Sequence, residues 1–428
     1  MPRPALAPPS DLAHHWDLDP STVFLNHGSF GACPRVVLEA QNEWRRRMEA
    51  DPVRFFVREV APGLDTARAA LAPIIGADPA DLALIPNATT AVATVLDNLD
   101  LNPGDEILVN THEYNACVAN CRRAASRAGA RVVTVDLPWP VSDEQQVADA
   151  ILEGVTDRTR LVLLSLVTSN SAMRMPVERL APELHARGID ILLDAAHGPG
   201  CVPMDLATLG VAYATGNAHK WLCAPKGSAF LYVREDRRTR GGGFRPLVLS
   251  NGAFGDLDAL ASARDRSVFH LEFDYCGTSD VTPALTLPTA IDTLAGLLPG
   301  GLDAVMARNH ALALEGRNLL CKALGTTPPV PDRMLGPMST VMLPPHPADV
   351  HQRVMQTPSL NNDPLWERLQ EHWGIQPQVV SVPYLPGSAE PRSRRAVRIS
   401  PQLYNCPAQY AYLGEALRAE LDRERDFA

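Results

Sequence analysis

The sequence predicts an α/β fold: a large domain built on a mainly parallel sheet, followed by a smaller C-terminal domain of α+β type. Three observations lead there. Between residues 82 and 233, short apolar runs alternate with longer amphipathic ones, the pattern of strand–helix–strand units with right-handed crossovers. One such run, Ile191-Leu192-Leu193, is apolar at consecutive positions, as in a strand buried on both faces, and it stops at a carboxylate, Asp194. Beyond residue 298 the order changes to a long helix, three strand-like runs and a closing helix.

Composition sets the frame. The chain has 428 residues, 46% hydrophobic and 21% charged, enough for a sizeable core and two or three domains. A net charge of −10 and a pI near 5.6 argue against a nucleic-acid surface. No run of eighteen apolar residues suggests a membrane span. The stretch Met1 to Pro20 lacks an apolar core of signal-peptide type, so a cytoplasmic location is expected. None of the eight cysteines forms a CxxC pair, which points to free, mostly buried thiols and to no metal site.

In chain order, residues 1–20 read as a loose, proline-rich arm. With the turn-rich segment FLNHGSFGA (Phe24 to Ala32) they form an N-terminal unit, 1–35, ahead of a large domain, 36–297, and a small one, 298–428. Val37 to Ala50 is amphipathic, with Arg45, Arg46 and Arg47 facing outward, and Leu64 to Ile75 is a helix. Leu82 to Pro86 is a short strand. Asn87 to Ala93 then opens a helix with small polar residues, where free backbone N–H groups and hydroxyls serve either as ordinary caps or as a phosphate cradle. Glu106 to Asn110 is a strand that ends at Thr111-His112-Glu113-Tyr114-Asn115. Arg131 to Val135 and Leu161 to Leu166 are further strands, with a helix from Gln145 to Gly154 between them. A turn at Val167-Thr168-Ser169-Asn170 precedes the helix Val177 to Arg187, which Gly188 closes.

Asp194 lies at the carboxyl end of its strand, where open α/β sheets bind ligands. Lys220 follows 220−194 = 26 residues later in Asn217-Ala218-His219-Lys220-Trp221, ahead of the strand Ser228 to Val233. Such a pair suits pyridoxal phosphate, whose aldehyde a lysine takes and whose pyridine nitrogen a carboxylate holds. Taken singly, a strand-end Asp is a cap and a Lys is a solvated charge. Taken together, with His197 and His219 beside them, those ordinary readings account for little. Gly241-Gly242-Gly243 is read as a flexible loop, since no clear strand precedes it and no GK[ST] follows. Pro283 to Leu297 and Leu302 to Leu324 are helical. Ser339 to Leu343, Val379 to Val382 and Ala396 to Ser400 are the small-domain strands, with helices near Pro364–Trp373 and Ala408–Arg423. Arg398 sits on the last strand, in Val397-Arg398-Ile399-Ser400, and its guanidinium fork matches a carboxylate at two points. The nearby Arg392, Arg394 and Arg395 read as surface charges.

The motifs DAAHGPG (Asp194 to Gly200) and HKWLCAPKGSAFLYV (His219 to Val233) resemble the class V aminotransferase branch of the fold-type I pyridoxal-phosphate enzymes. Within that branch the chain is most similar to the isopenicillin N epimerase-like group, and the likeness runs from Leu25 to Arg398. The resemblance implies a seven-stranded large-domain sheet and pyridoxal 5'-phosphate held by Lys220 as a Schiff base, with Asp194 on the ring nitrogen. It implies phosphate contacts from Ala88 and Thr89, and Asn217 and His219, flanking the lysine loop, would reach the phosphate too. Tyr114, matched through the preceding Glu113, would stack on the ring in preference to His112. Asn170 and His197 would meet the 3-hydroxyl oxygen or the ring. Gly277 and Thr278 would cap the phosphate of the neighbouring subunit, which makes a homodimer with shared sites. Arg398 would take the substrate carboxylate, with Asn26 and His27 as further substrate contacts.

The implied substrate is a small molecule of amino-acid type, with no nucleic-acid or membrane partner. The expected reaction is epimerisation or racemisation at the α-carbon, with Lys220, Asp194 and Tyr114 as the catalytic groups. A carbon–sulfur lyase of the ergothioneine-pathway type is the alternative. A cysteine desulfurase ranks lower, because it needs a cysteine shortly before the carboxylate arginine and none lies between Cys321 and Cys406. An aminotransferase ranks lower too. A binding protein without chemistry is disfavoured by the joint presence of Lys220, Asp194 and Arg398.

Overall fold

The computed structural model describes residues 3–238, 243–250, 255–361, 363–383 and 393–426. A two-residue strand, β1 (Val23–Phe24), precedes the central sheet and pairs far along the chain. The sheet itself is built from β2 (Leu82–Ile85), β3 (Glu106–Asn110), β4 (Arg131–Val135), β5 (Thr159–Ser165), β6 (Asp190–Asp194), β7 (Tyr213–Asn217) and β8 (Ala229–Val233). They lie in the order β2-β8-β7-β6-β5-β3-β4. β8 runs antiparallel to β2 and β7, and every other pair is parallel. The expected seven-stranded, mainly parallel sheet is therefore present.

The consecutive apolar residues have a simple cause. In β5, Val162 and Leu164 enter one core while Leu161 and Leu163 enter the other; in β6, Ile191 and Leu193 oppose Leu192 in the same way. Helices Val60–Ile75, Glu144–Glu153 and Val177–Ala186 cover the first face, and Ala88–Asp97 and Asn115–Ala128 cover the second. With both faces covered, loops gather at the strand ends, and the carboxyl ends of β3, β5, β6 and β7 open on one side. β7 gave no apolar signal in the sequence, because Tyr213-Ala214-Thr215-Gly216-Asn217 looks like a loop. Its polar atoms are absorbed locally, the Thr215 hydroxyl donating to the Phe230 carbonyl at 2.7 Å. A Cβ on Gly216 would lie 2.6 Å from the Phe230 ring and 2.7 Å from the Ala195 carbonyl, so the position is closed to larger residues.

A second sheet holds β9 (Ser339–Met342), β11 (Gln378–Pro383) and β12 (Ser393–Ile399), antiparallel in the order β11-β12-β9. Helices Gly301–Leu324, Pro364–Trp373 and Pro407–Asp426 back it through a separate apolar cluster. β10 (Ile375–Gln376) lies between these elements and pairs in parallel with β1, Phe24 opposite Gln376. That pairing ties the N-terminal segment to the small sheet. Among the described residues no single helix is long and apolar enough to cross a membrane.

Two expectations need correction. The N-terminal arm is anchored where it is described, not loose: Trp16 is buried, donates its indole N–H to the Ala32 carbonyl at 3.2 Å and packs edge-on against Tyr404. Arg395 is no surface charge. Strand alternation turns it with Val397 and Ile399 toward the backing helices, where it pairs with Asp363 at 2.7 Å and Glu424 at 2.8 Å. Arg392 and the first two glycines of the triple-glycine stretch lie outside the described residues.

Candidate active site

A cavity of about 700 Å³ opens at the carboxyl ends of β3, β5, β6 and β7 and is closed from the other side by the small sheet and the N-terminal segment. Asp194 stands on its floor as the last residue of β6. One carboxylate oxygen accepts the Ala196 N–H at 3.0 Å, and the other accepts the Cys117 thiol at 3.2 Å. Burial, reinforced by Asp194, pushes the Cys117 thiol far up, so it stays a donor. Beneath it Glu113 is fully buried and accepts from the Ser165 N–H and hydroxyl and from Asn110. Burial lifts its carboxyl to about 7 despite those bonds, with the Asp194 charge adding to the rise.

Lys220 sits in a single helical turn, Ala218–Trp221, that follows β7 without a gap. Its ammonium is pushed down to about 8, by burial first and the Arg398 charge second, against the pull of Asp194. The amine lies 3.2 Å from His197 Nε2, and Trp221 donates its indole N–H to His197 Nδ1 at 3.1 Å. The N-terminal segment presses on the same turn. Gly31, at φ +72°, is needed there because a Cβ would fall 2.0 Å from the His219 carbonyl.

At the other end of the cavity, Asn87 caps the helix Ala88–Asp97 through the Thr90 N–H at 2.8 Å. The Ala88 N–H donates to Asn217 Oδ1 at 2.9 Å, while the Thr89 N–H has no partner among the described residues. His219 places Nδ1 3.1 Å from the Ser228 carbonyl, an acceptor, which leaves Nε2 uncommitted; burial draws this imidazole down to about 4.

Arg398 enters from β12 and is buried. Nη1 donates to the Ser169 carbonyl at 2.8 Å and its hydroxyl at 3.4 Å; Nη2 donates to Asn26 Oδ1 at 2.8 Å and Ser29 Oγ at 2.7 Å. Nε–H alone lacks a partner. A carboxylate entering the cavity would compete with Ser29 and Ser169 for the Nη–H groups. Burial lowers the guanidinium to about 10.

The structure brings Asn26, Ala88, Thr89, Tyr114, Asn170, Asp194, His197, Asn217, His219, Lys220 and Arg398 to one cavity. Tyr114, the residue before the helix Asn115–Ala128, is half exposed there. His112 is turned away, bonded to Ser171 at 2.8 Å and packed on Trp139. His27 is a correction: it is no lining residue. Its Nε2 meets the Lys220 carbonyl at 2.9 Å and its Nδ1 the Tyr404 hydroxyl at 2.8 Å, behind the lysine turn, and burial drives it to about 3. Gly277 and Thr278 are exposed and do not line the cavity of their own chain; the Thr278 hydroxyl bonds that of Tyr275 at 2.9 Å.

Sequence reasoning missed Ser29, Ser169, Cys117 and Trp221 around these groups. It also missed a neutral outer wall made by Trp366, Gln370, Gln376 and Gln378. The spacing held a signal, since i,i+4 on a helix and i,i+2 on an extended segment each point two residues the same way.

Comparison with known proteins gives four findings. Residues 23–355 match the family model for class-V aminotransferases. The chain is 35% identical to an isopenicillin N epimerase of Amycolatopsis lactamdurans, covering 94% of this chain and 96% of that one. It is 30% identical to a probable chloroplastic L-cysteine desulfhydrase of Arabidopsis thaliana, over 95% of this chain and 84% of the relative. In three dimensions it is similar to the cystine C–S lyase C-DES, solved in complex with its product cysteine persulfide, with a TM-score of 0.70 at 20% identity over 92% and 97% of the two chains.

Proposed function

The chain belongs to the class-V aminotransferase family and is a pyridoxal-phosphate-dependent enzyme; we propose that it epimerises or racemises an amino acid or amino-acid-derived substrate at the α-carbon. The residues present suit the cofactor. A buried carboxylate ends β6, a lysine shifted toward the free amine follows β7, and a helix N-terminus keeps one N–H unpartnered for an anion. When bound, pyridoxal phosphate draws electrons from the α-carbon of the attached substrate.

Each side chain then has a task. Asp194 holds the ring nitrogen protonated. Lys220 is the base for the α-proton, and a group near 8 is well matched to that work close to neutral pH. Arg398 fixes the carboxylate and so the direction of the α-carbon bonds. Tyr114 supplies a proton from the other side. The observation that carries the epimerase reading is the placement of these last groups about Asp194. β6 lies beside β7, which leads to Lys220, and is separated by β5 from β3, which leads to Tyr114, and both side chains reach one cavity. No cysteine is among the residues lining it, which leaves a desulfurase without its nucleophile. We read the active unit as a homodimer, since Gly277 and Thr278 are exposed and free to reach a second copy.

The second reading is a carbon–sulfur lyase, which needs no proton donor opposite Lys220. The likeness to a desulfhydrase over 95% of the chain favours it. A panel of amino acids, thioethers and sulfoxides in deuterated water separates the two. Epimerisation gives α-deuteration with loss of optical purity and no pyruvate. Stoichiometric release of pyruvate, ammonia and a sulfur product would replace it with the lyase.

A further inference from the structure

We propose that Trp221 is a positioning residue that fixes the tautomer of His197 and, through it, keeps Lys220 as a free amine ready for the cofactor. The inference rests on Lys220 being the cofactor lysine. An indole has one donor and no acceptor. Trp221 Nε1 lies 3.1 Å from His197 Nδ1, and both rings are buried. That nitrogen must therefore offer a lone pair, which puts the imidazole proton on Nε2. Nε2 is in turn 3.2 Å from Lys220 Nζ. An N–H aimed at an ammonium sets donor against donor, whereas aimed at an amine it makes a hydrogen bond. A doubly protonated His197 is excluded likewise, since it would turn a donor toward the indole.

The backbone holds this arrangement in place. Gly200, at φ +72°, closes the loop that carries His197, and a Cβ there would fall 2.9 Å from the Trp221 carbonyl. On the far side the Trp221 ring packs 5.3 Å from the His27 ring. The charged and titratable groups facing the pair are Arg398 from β12, Asp194 from β6, Cys117 from the helix Asn115–Ala128, Cys201 from the loop after His197, His27 from the N-terminal segment and His219 from the lysine turn. Arg398 reinforces the amine, and Asp194 opposes it. His197 is thereby a fixed donor at this point of the cavity and not the base, a division of labour that leaves the α-proton to Lys220.

Two measurements test this on the full chain freed of cofactor. The first needs no variant. With ¹⁵N-labelled histidine, and His197→Gln to identify the signal, His197 should show its proton on Nε2 and an unprotonated Nδ1 throughout neutral pH. A proton on Nδ1 would overturn the proposal. The second follows the rate of pyridoxal phosphate capture against pH. Trp221→Phe keeps an aromatic ring but loses the N–H, so the midpoint should rise by about one unit, making capture near pH 7 about tenfold slower. An unchanged midpoint in a folded Trp221→Phe protein would also overturn it. Borohydride fixation in Lys220→Ala is the control: an adduct there would show that the cofactor lysine lies elsewhere, a failure of the functional reading and not of the tautomer.

Discussion

Replacing Arg398 with lysine keeps one positive charge and removes the fork. In the native site one guanidinium reaches Ser169 with Nη1 and the Asn26–Ser29 pair with Nη2, and in the proposed complex it would hold the substrate carboxylate from the same fork. An ammonium has three N–H groups on one atom and cannot span both sides and still face the substrate. The variant therefore loses at least one of the two bonds to the carboxylate, and it frees Ser29 and Asn26 to shift. Each hydrogen bond to a charged group contributes about 1.5–3 kcal/mol, so losing one or two removes about 3 kcal/mol of transition-state binding. That is about a hundredfold in kcat/KM.

The loss should divide between a higher KM and a lower kcat, because the same contact orients the α-carbon. The assay is steady-state α-proton exchange on an amino acid and on its carboxamide, with cofactor absorbance recorded to confirm occupancy. The parent enzyme should prefer the free acid strongly, and Arg398→Lys should lose most of that preference. Equal rates on acid and amide in the parent would refute the clamp. So would a variant within a few-fold of the parent, and Arg398 would then be a brace between the two sheets.

Asp194→Asn should retain the cofactor and lose about 100-fold or more in turnover, because a preorganised charge partner has gone; near-normal turnover would count against the assignment. The Lys220 ammonium is lowered from 10.5 to about 8. Between those values the unfolded chain binds a proton on this lysine that the folded, cofactor-free protein does not, so the Lys220 contribution to stability rises with pH across that window. The buried thiols, whose values are pushed up, contribute the opposite slope. Thermal melts isolate the lysine contribution as a difference: Lys220→Met should lose ground against the native protein as the pH rises from about 8 to 10.5, and a difference that stays constant with pH would refute the shift. Mixing Lys220→Ala with Thr278→Trp should restore part of the activity, since one site of the mixed dimer carries neither lesion; an active monomer in sedimentation would end that idea. Trp366→Ala and Gln376→Leu should change the ranking of long side chains and leave alanine exchange alone. An unchanged ranking would remove the outer wall from the substrate site.

Much of the fold was legible because two-sided burial writes itself into sequence as uninterrupted apolar runs, as at Leu161–Leu164 and Ile191–Leu193. β7 was not legible, since its burial is met by Thr215 and Gly216 and not by bulk. Asp194 stood out because it closes an apolar strand, and Lys220 because it lies in Asn217-Ala218-His219-Lys220-Trp221 just ahead of the strand Ser228 to Val233; both signals are local. His27 was misjudged for the complementary reason. Its turn could be recognised, but which face of that turn meets the cavity depends on Trp221 and Tyr404, which lie far away in the chain. Trp16 misled likewise, a single buried ring that anchors an arm whose prolines suggest freedom.

The proposed carboxylate clamp was the least legible part, although Arg398 itself was identified, because it is assembled from three distant segments. Parallel pairing of β1 with β10 and the bridge from Asn26 to Ser400 carry the N-terminal segment across the small sheet. Once there, that segment touches both working ends of the site. Asn26 and Ser29 hold the guanidinium, while His27 and Gly31 rest on the Lys220 and His219 backbone. Four residues of one short stretch thus set the position of the clamp relative to the base. Removing an α-proton depends on that separation, since the bond to be broken must face the amine while the carboxylate stays bound. In the proposed mechanism a segment that looks like a plain turn in sequence therefore serves as the spacer between binding and chemistry, and its Gly31 is dictated by the closeness of that contact and not by flexibility.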